Sequence, residues 1–311
     1  MKETDILKII QDTIKSKYIG DDCAYLEDLN IVVTQDSLVE DVHFAMEYTT
    51  PFQLGYKSAA VNLSDIYASG AEAKYLTISL SLPKNINENF IKEFYEGASS
   101  ISKSVQIVGG DITGADKIYI SICAIGSTQG RKISSRKNAK IGYKIITNGF
   151  HGSSSGGLYV LQNKINGFET LKKEHLMPTI SNKLSDEIAK KCNSDYAMMD
   201  SSDGLADAIY KISKMSGVSA LLDFKKIPFD KSLKNINNID YKNMIFFGGE
   251  DYKIVCAISE KDLEKIDNDL YTVIGEIIPK KDDDIIKIDF DGITKGLKEF
   301  EIEEKVFNHF K

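Results

Sequence analysis

The chain has 311 residues, 42% of them apolar and 27% charged, which is the composition of an ordinary globular protein and a length that favours two domains over one. A net charge of −7 argues against a dedicated nucleic-acid binder, and nothing approaches the 18 consecutive apolar residues that a membrane-crossing helix needs. Cys23, Cys123, Cys192 and Cys256 are scattered and form no CxxC pair, which speaks against a disulfide framework or a zinc site and fits a reducing, cytoplasmic compartment.

In chain order, MKETDILKIIQDTIKSK reads as an amphipathic helix, because Glu3, Asp5 and Asp12 interrupt the apolar core that a signal peptide requires. Residues 30–35 and 74–82 have the apolar or alternating character of strands. Between them, 52–71 is rich in Ala and Ser and stops at Gly70, a C-terminal helix signal. A helix over about 87–104, a short strand at 106–108 and a strand at 117–126 follow. The basic, apolar-poor stretch 131–142 marks a domain junction, placed between residues 1–136 and 137–311. Beyond it come a strand over 143–150, a Gly/Ser-rich turn and a helix through Leu158 and Leu161. Strands are expected at 218–223, 251–258, 271–275 and 284–289, and helices near 183–192, 204–215 and 260–268. Both halves are therefore mixed α/β, of the α+β type with mixed sheets.

The chemistry is concentrated in acids that stand beside Gly or at the ends of apolar runs: Asp21 and Asp22, Asp36, Asp65, Asp111, Asp200 and Asp203, and Glu250 with Asp251. Any one of them taken alone is more simply a turn former or a helix cap, as Ser202 and Asp203 illustrate in front of the helix starting near Gly204. As a set they resist that reading, since charge beside apolar runs is costly to bury unless it is paired or metal-bound. Asp65 is the sharpest case, one turn after Asn62 on a helix of small, apolar residues. Hard oxygen ligands arriving singly from several loops suit Mg²⁺, and no DxDxDG run points to an EF-hand. There is no GxxxxGK[ST] loop and no kinase HRD or DFG set, so a phosphoryl-transfer enzyme built this way must neutralise phosphates mainly with metal ions.

Six blocks resemble, in order and over nearly the whole chain, the signatures of the thiamine-monophosphate kinase family of the aminoimidazole-ribonucleotide-synthetase-like superfamily. They are GDDCAYL (20–26), TQDSLVEDVHF (34–44), YKSAAVNLSDIYASGA (56–71), IVGGDIT (107–113), MDSSDGLADAI (199–209) and GGEDYKIV (248–255), and the closing VFNHF resembles the family's tail. The resemblance implies a two-domain fold that dimerises through its N-terminal domain, where ATP and Mg²⁺ bind, with the C-terminal domain completing the substrate and nucleotide site. It implies direct in-line transfer of the γ-phosphoryl of ATP to thiamine monophosphate, giving thiamine diphosphate and ADP without a covalent enzyme nucleophile. By the same resemblance Asp22, Thr34, Gln35, Asp36, Asp65, Asp111, Asp200 and Asp203 hold several Mg²⁺ ions. Tyr95, Gly110, Arg136 and Ser202 meet ATP, and His43, Glu250 and Phe307 meet thiamine monophosphate. No nucleic-acid or membrane partner is implied.

The chain departs from the family pattern in places. Gln35 stands where Thr is usual, which matters little if the main-chain carbonyl is the ligand. Ser153 replaces an acid in the turn 152–158, and the basic-proline motif is reduced to His175-Leu176-Met177-Pro178. His151, His175 and His309 are expected at the surface or in packing, and Arg131, Lys132, Lys137 and Lys140 in a solvated junction from which Arg136 is singled out for phosphate. Two alternatives stand beside this reading. One is another ATP-dependent enzyme of the superfamily, of the aminoimidazole ribonucleotide synthetase or selenophosphate synthetase type. The other is a non-catalytic Mg²⁺ and nucleotide-binding regulator.

Overall fold

The computed structural model describes residues 3–306. A largely exposed helix, α1 (Glu3–Ile14), leads into β1 (Ala24–Leu26), β2 (Ile31–Val39), α2 (Pro51–Ser69), β3 (Glu72–Leu82), α3 (Glu88–Ser100), β4 (Gln106–Gly114) and β5 (Tyr119–Ser127). These strands form one sheet in the order β1-β2-β5-β3-β4, antiparallel except for the β3/β4 pair. The period-two side-chain alternation sends Val32, Thr34 and Leu38 of β2 and Ile120, Ile122 and Ala124 of β5 inward, beneath α2 and α3.

The chain then crosses to a second sheet. It comprises β6 (Lys144–Thr147), α4 (Ser153–Gln162), α5 (Glu169–Leu176), α6 (Lys183–Lys191), β7 (Ala197–Asp200), α7 (Leu205–Ser216), β8 (Ser219–Asp223), α8 (Tyr241–Phe247), β9 (Ile254–Ile258), α9 (Glu260–Leu263), β10 (Thr272–Ile278), β11 (Asp284–Phe290), β12 (Ile293–Lys298) and α10 (Glu299–Lys305). Strand order is β12-β11-β8-β10-β6-β9-β7, with β11/β8 the parallel pair. This sheet is covered on both faces, so β9 is buried at every position. Ile254, Cys256 and Ile258 join the core shared with α2, while Val255 and Ala257 join a second core with Leu205 and Ile209 of α7.

Helix α2 is the element common to both halves. It touches β2, β3 and β5 on one side and β7, β9 and α6 on the other. Its N-terminus is fixed by a reciprocal cap, in which Thr50 Oγ accepts from Gln53 N–H and Gln53 Oε1 accepts from Thr50 N–H, with Pro51 in the first turn. Gly70, with φ +87°, ends it in the left-handed conformation that its sequence position predicted. Small residues let α3 lie directly on α2: a Cβ on Gly55 would overlap the Phe94 carbonyl, and one on Gly97 the Phe52 carbonyl.

Several expectations need correction. The strand at 30–35 continues to Val39 and the one at 106–108 to Gly114, because polar residues that read as strand ends lie in edge or site-facing positions. The helix at 87–104 ends at Ser100, the strand at 251–258 starts only at Ile254, and 260–268 is one turn of α9. Strands β1, β7 and β12 and helices α5, α8 and α10 were not expected; all are eight residues or shorter and carry little periodicity. Among the described residues no helix is long and apolar enough to cross a membrane.

The α2/α3 contact yields a test. Gly97→Ala should lower stability by about 2 kcal/mol or more, since backbone rather than a movable side chain blocks the added methyl. The measurement is the urea midpoint, and a loss below about 0.5 kcal/mol would mean that the helices part easily.

Candidate active site

The acidic residues converge where α2 meets both sheets. Asp22 precedes β1, Asp36 lies in β2, Asp65 in α2, and Asp200 ends β7. Carboxylate oxygens of Asp22, Asp65 and Asp200 lie within 4.8 Å of one another. Neighbouring side chains hold them there: Thr34 Oγ1 donates to Asp65 Oδ2 (2.6 Å), Ser64 Oγ donates to Asp200 Oδ2 (2.6 Å), and Asn62 Oδ1 accepts from Asp36 N–H (3.0 Å). Arg136 donates to Asp22 Oδ1 (2.5 Å) and to the Gly20 carbonyl (3.1 Å).

Burial dominates the electrostatics. It pushes the Asp65 carboxyl well above the usual range, and Asp36, Asp200 and Asp22 add repulsion. Asp200 is pushed up to about 7, by burial and then by Asp22. Asp36 reaches about 6 through burial, with Asp203 and Asp22 contributing. Even Asp22 is raised, because desolvation outweighs the Arg136 guanidinium. Arg136 and Lys211 thus do not offset the crowding of the acids, and the donor set, all hard oxygens, suits a divalent cation such as Mg²⁺. Cys23, beside Asp22, is buried, and its thiol is pushed well up by burial and the adjacent acids, so it is no thiolate nucleophile at neutral pH.

The other predicted positions divide into groups. Asp203 sits beside the cluster near Asp36 and bonds Lys211. Ser202 lies on the same turn, where its N–H approaches Asp200 Oδ1 and its carbonyl accepts from Glu250 N–H (2.6 Å). Gln35 is exposed and donates to Ser121 Oγ; strand alternation turns its side chain away from Thr34 and Asp36. Asp111 is exposed on edge strand β4, separated from β2 by β3 and β5, and is not drawn into the three-carboxylate group. Gly110 is beside it, where a Cβ would overlap the Ile78 carbonyl. Tyr95 packs edge-to-face on Phe94 in α3.

His43 and Glu250 line a second part of the site, a cavity of about 300 Å³ walled also by Tyr48, Leu158, Leu161 and His175. His43 Nδ1 accepts from Val39 N–H (3.0 Å). Glu250, at φ +66°, binds Lys57 Nζ through both oxygens (3.0 and 3.1 Å). Phe307 lies outside the described residues.

Sequence reasoning missed Lys57, Asp207 and Lys211. The signals were a lone lysine within the small-residue helix and the i,i+4 spacing of Asp207 and Lys211. His151 and His175 are both buried, bonded to Thr147 Oγ1 and Ser154 Oγ, so packing rather than surface is their setting. The junction is not wholly solvated either, for Arg131 is buried and paired with Asp186 at 2.7 Å.

A family model described as AIR synthase related protein, N-terminal domain, matches residues 20–128. The thiamine-monophosphate kinase of Aquifex aeolicus is 33% identical over 264 residues, 81% of this chain and 84% of that protein. The thiamine-monophosphate kinase of Bacillus subtilis is 31% identical over 94% of this chain and 93% of its own length. The chain belongs to the thiamine-monophosphate kinase family. A solved structure of a family member, AaThiL complexed with AMPPCP and TMP, superposes with a TM-score of 0.87 at 30% identity, covering 99% of this chain and 97% of that one. The fold extends further, to the hydrogenase maturation protein HypE in complex with ATP, at 15% identity and a TM-score of 0.70.

The raised carboxyls predict a pH signature. Asp200 holds its proton more tightly folded than unfolded, so its contribution to stability is full below pH 4 and is lost as pH rises through about 7. Asp200→Asn has no such loss. In chelator, the denaturant midpoint of the variant should therefore gain on that of the natural protein between pH 5 and pH 8; a constant difference would show that Asp200 is not shifted.

Proposed function

We propose that the chain is an ATP-dependent phosphotransferase that transfers the γ-phosphoryl of ATP to the phosphate of thiamine monophosphate, giving thiamine diphosphate and ADP. The observation that carries this reading is the convergence of Asp22, Asp65 and Asp200 in a chain belonging to this family. The relative's AMPPCP is an ATP analogue and its TMP the phosphate acceptor, which supports the same pair of substrates here.

Asp22, Asp36, Asp65, Asp200 and Asp203 would hold Mg²⁺, with the main chain at Gln35 as a further ligand; Asp111, on the β4 edge, would serve only an ion apart from these. Mg²⁺ bound there would offset the repulsion between two polyanions and favour their in-line alignment. No general base is needed, because a phosphate monoester oxygen is already anionic at neutral pH. Arg136 and Ser202 would contact the nucleotide, and Tyr95 and Gly110 are proposed as further nucleotide contacts. His43 and Glu250 would contact the thiamine portion in the 300 Å³ cavity, and Phe307 is the proposed aromatic partner of the thiamine ring. Lys57 holds Glu250 in place and donates its remaining bond to the His43 carbonyl (3.4 Å).

On this reading residues 1–136 supply the ATP and Mg²⁺ side and 137–311 complete the site, in a cytoplasmic enzyme. A homodimer through the first sheet is supported by the open edge of β4, where Val108 and Ile112 are exposed, and by Tyr75 and Tyr119 exposed on β3 and β5.

Chromatographic separation of the thiamine phosphates after incubation with ATP and Mg²⁺ tests the activity. Turnover of an aminoimidazole-pathway or selenide substrate in place of thiamine monophosphate would overturn it. In the same assay Asp65→Asn should lower kcat by about 100-fold or more. Its stability in chelator should be unchanged or higher, because repulsion within the cluster is relieved. A strongly destabilised variant with near-normal turnover would make Asp65 structural.

Light scattering at micromolar concentration is expected to give twice the monomer mass. A fully active monomer would count against the dimer.

A further inference from the structure

The acids of the centre are matched by two built-in cations. Arg136 is bonded to Asp22 and to the Gly20 carbonyl. Lys211, on α7, lies 2.7 Å from Asp207 Oδ2 and 3.3 Å from Asp203 Oδ2. Asp207 is buried and one helical turn before Lys211, so it anchors the ammonium from behind. Asp203 is on the open side, next to Asp36, and the Lys211 side chain is about a third exposed. The ammonium therefore stands at the rim of the cluster, firmly held on one side and weakly on the other. Nothing in the family signatures quoted above places a cation at this position.

On the metal-holder reading, a divalent ion that draws in Asp203 beside Asp36 competes for the carboxylate that Lys211 now bonds, and the two cations repel. Once Asp203 turns to the metal, the ammonium faces the site with a free valence. A nucleotide triphosphate brings the anionic oxygens that fill it.

Resting on the reading of the carboxylates as metal holders, we propose that Lys211 is an exchanging counter-ion. It yields Asp203 when a divalent ion binds and pairs instead with phosphate oxygens of the nucleotide. Metal and nucleotide consequently bind each other's complex more tightly than the free protein, a reciprocal coupling. The protein alone keeps its acids partly neutralised and takes up little metal.

Mn²⁺ binding to the full-length protein, followed by electron paramagnetic resonance with and without AMPPCP, tests this. In Lys211→Met, Mn²⁺ should bind the nucleotide-free protein about 10-fold more tightly, because a competing cation is gone. AMPPCP in the presence of Mg²⁺ should bind about 10-fold more weakly, because a phosphate partner is gone. Lys211→Arg should stay near the natural protein in both. A merely structural lysine would move both affinities in the same, weaker direction, and that result, or no change in either, overturns the proposal. Lys211→Gln replaces the methionine variant should the latter fail to fold. Asp65→Asn run alongside must weaken Mn²⁺ binding; if it does not, the metal reading itself falls, independently of Lys211.

Discussion

The structure depends on one constraint: Asp65 stands half-buried in the C-terminal part of α2, a helix pressed between two sheets. Capping at Thr50 and Gly70 sets where the helix begins and ends, and its small residues let both sheets approach. Ser64 and Asp65 then point to opposite partners, one holding Asp200 from the second sheet and the other receiving Thr34 from the first. Two ionised carboxylates 4.8 Å apart repel by about 3.5 kcal/mol at an effective dielectric near 20. The fold accepts this because the cores on either side of α2 are continuous.

The site consequently lies at a seam. Asp22, Asp36 and Asp65 come from the first sheet and its helix, and Asp200, Asp203 and Glu250 from the second half. Lys57 ties the two through Glu250, and Arg136 ties the connecting segment back to Asp22. These largely buried ion pairs join segments far apart in the chain, Lys57 and Glu250 between the two halves and Arg136 and Asp22 within the first. Breaking one partner would leave an uncompensated buried charge, which is why such pairs are costly to lose.

The likeness to HypE shows the same architecture at 15% identity, too remote to speak of anything but fold. Architecture alone therefore does not select the reaction. On the function proposed above, selection falls to the cavity that His43, Glu250, Tyr48 and His175 enclose.

Much was legible in the residues alone. The two-sheet α/β class, the extent of α2, and the acids that meet at Asp22, Asp65 and Asp200 all follow from local patterns: alternation, a glycine stop, and charge set among apolar residues. Such patterns are short-range, so they reveal element type and candidate chemistry. They could not show that Gln35 faces away, that Asp111 stands on an open edge, or that His151, His175 and Arg131 are buried. Nor could they show which lysines guard which acids, since Lys57 meets Glu250 across almost two hundred residues of chain. Those pairings exist only once two sheets close on one helix, because burial and Coulomb energy depend on distance in space rather than along the sequence.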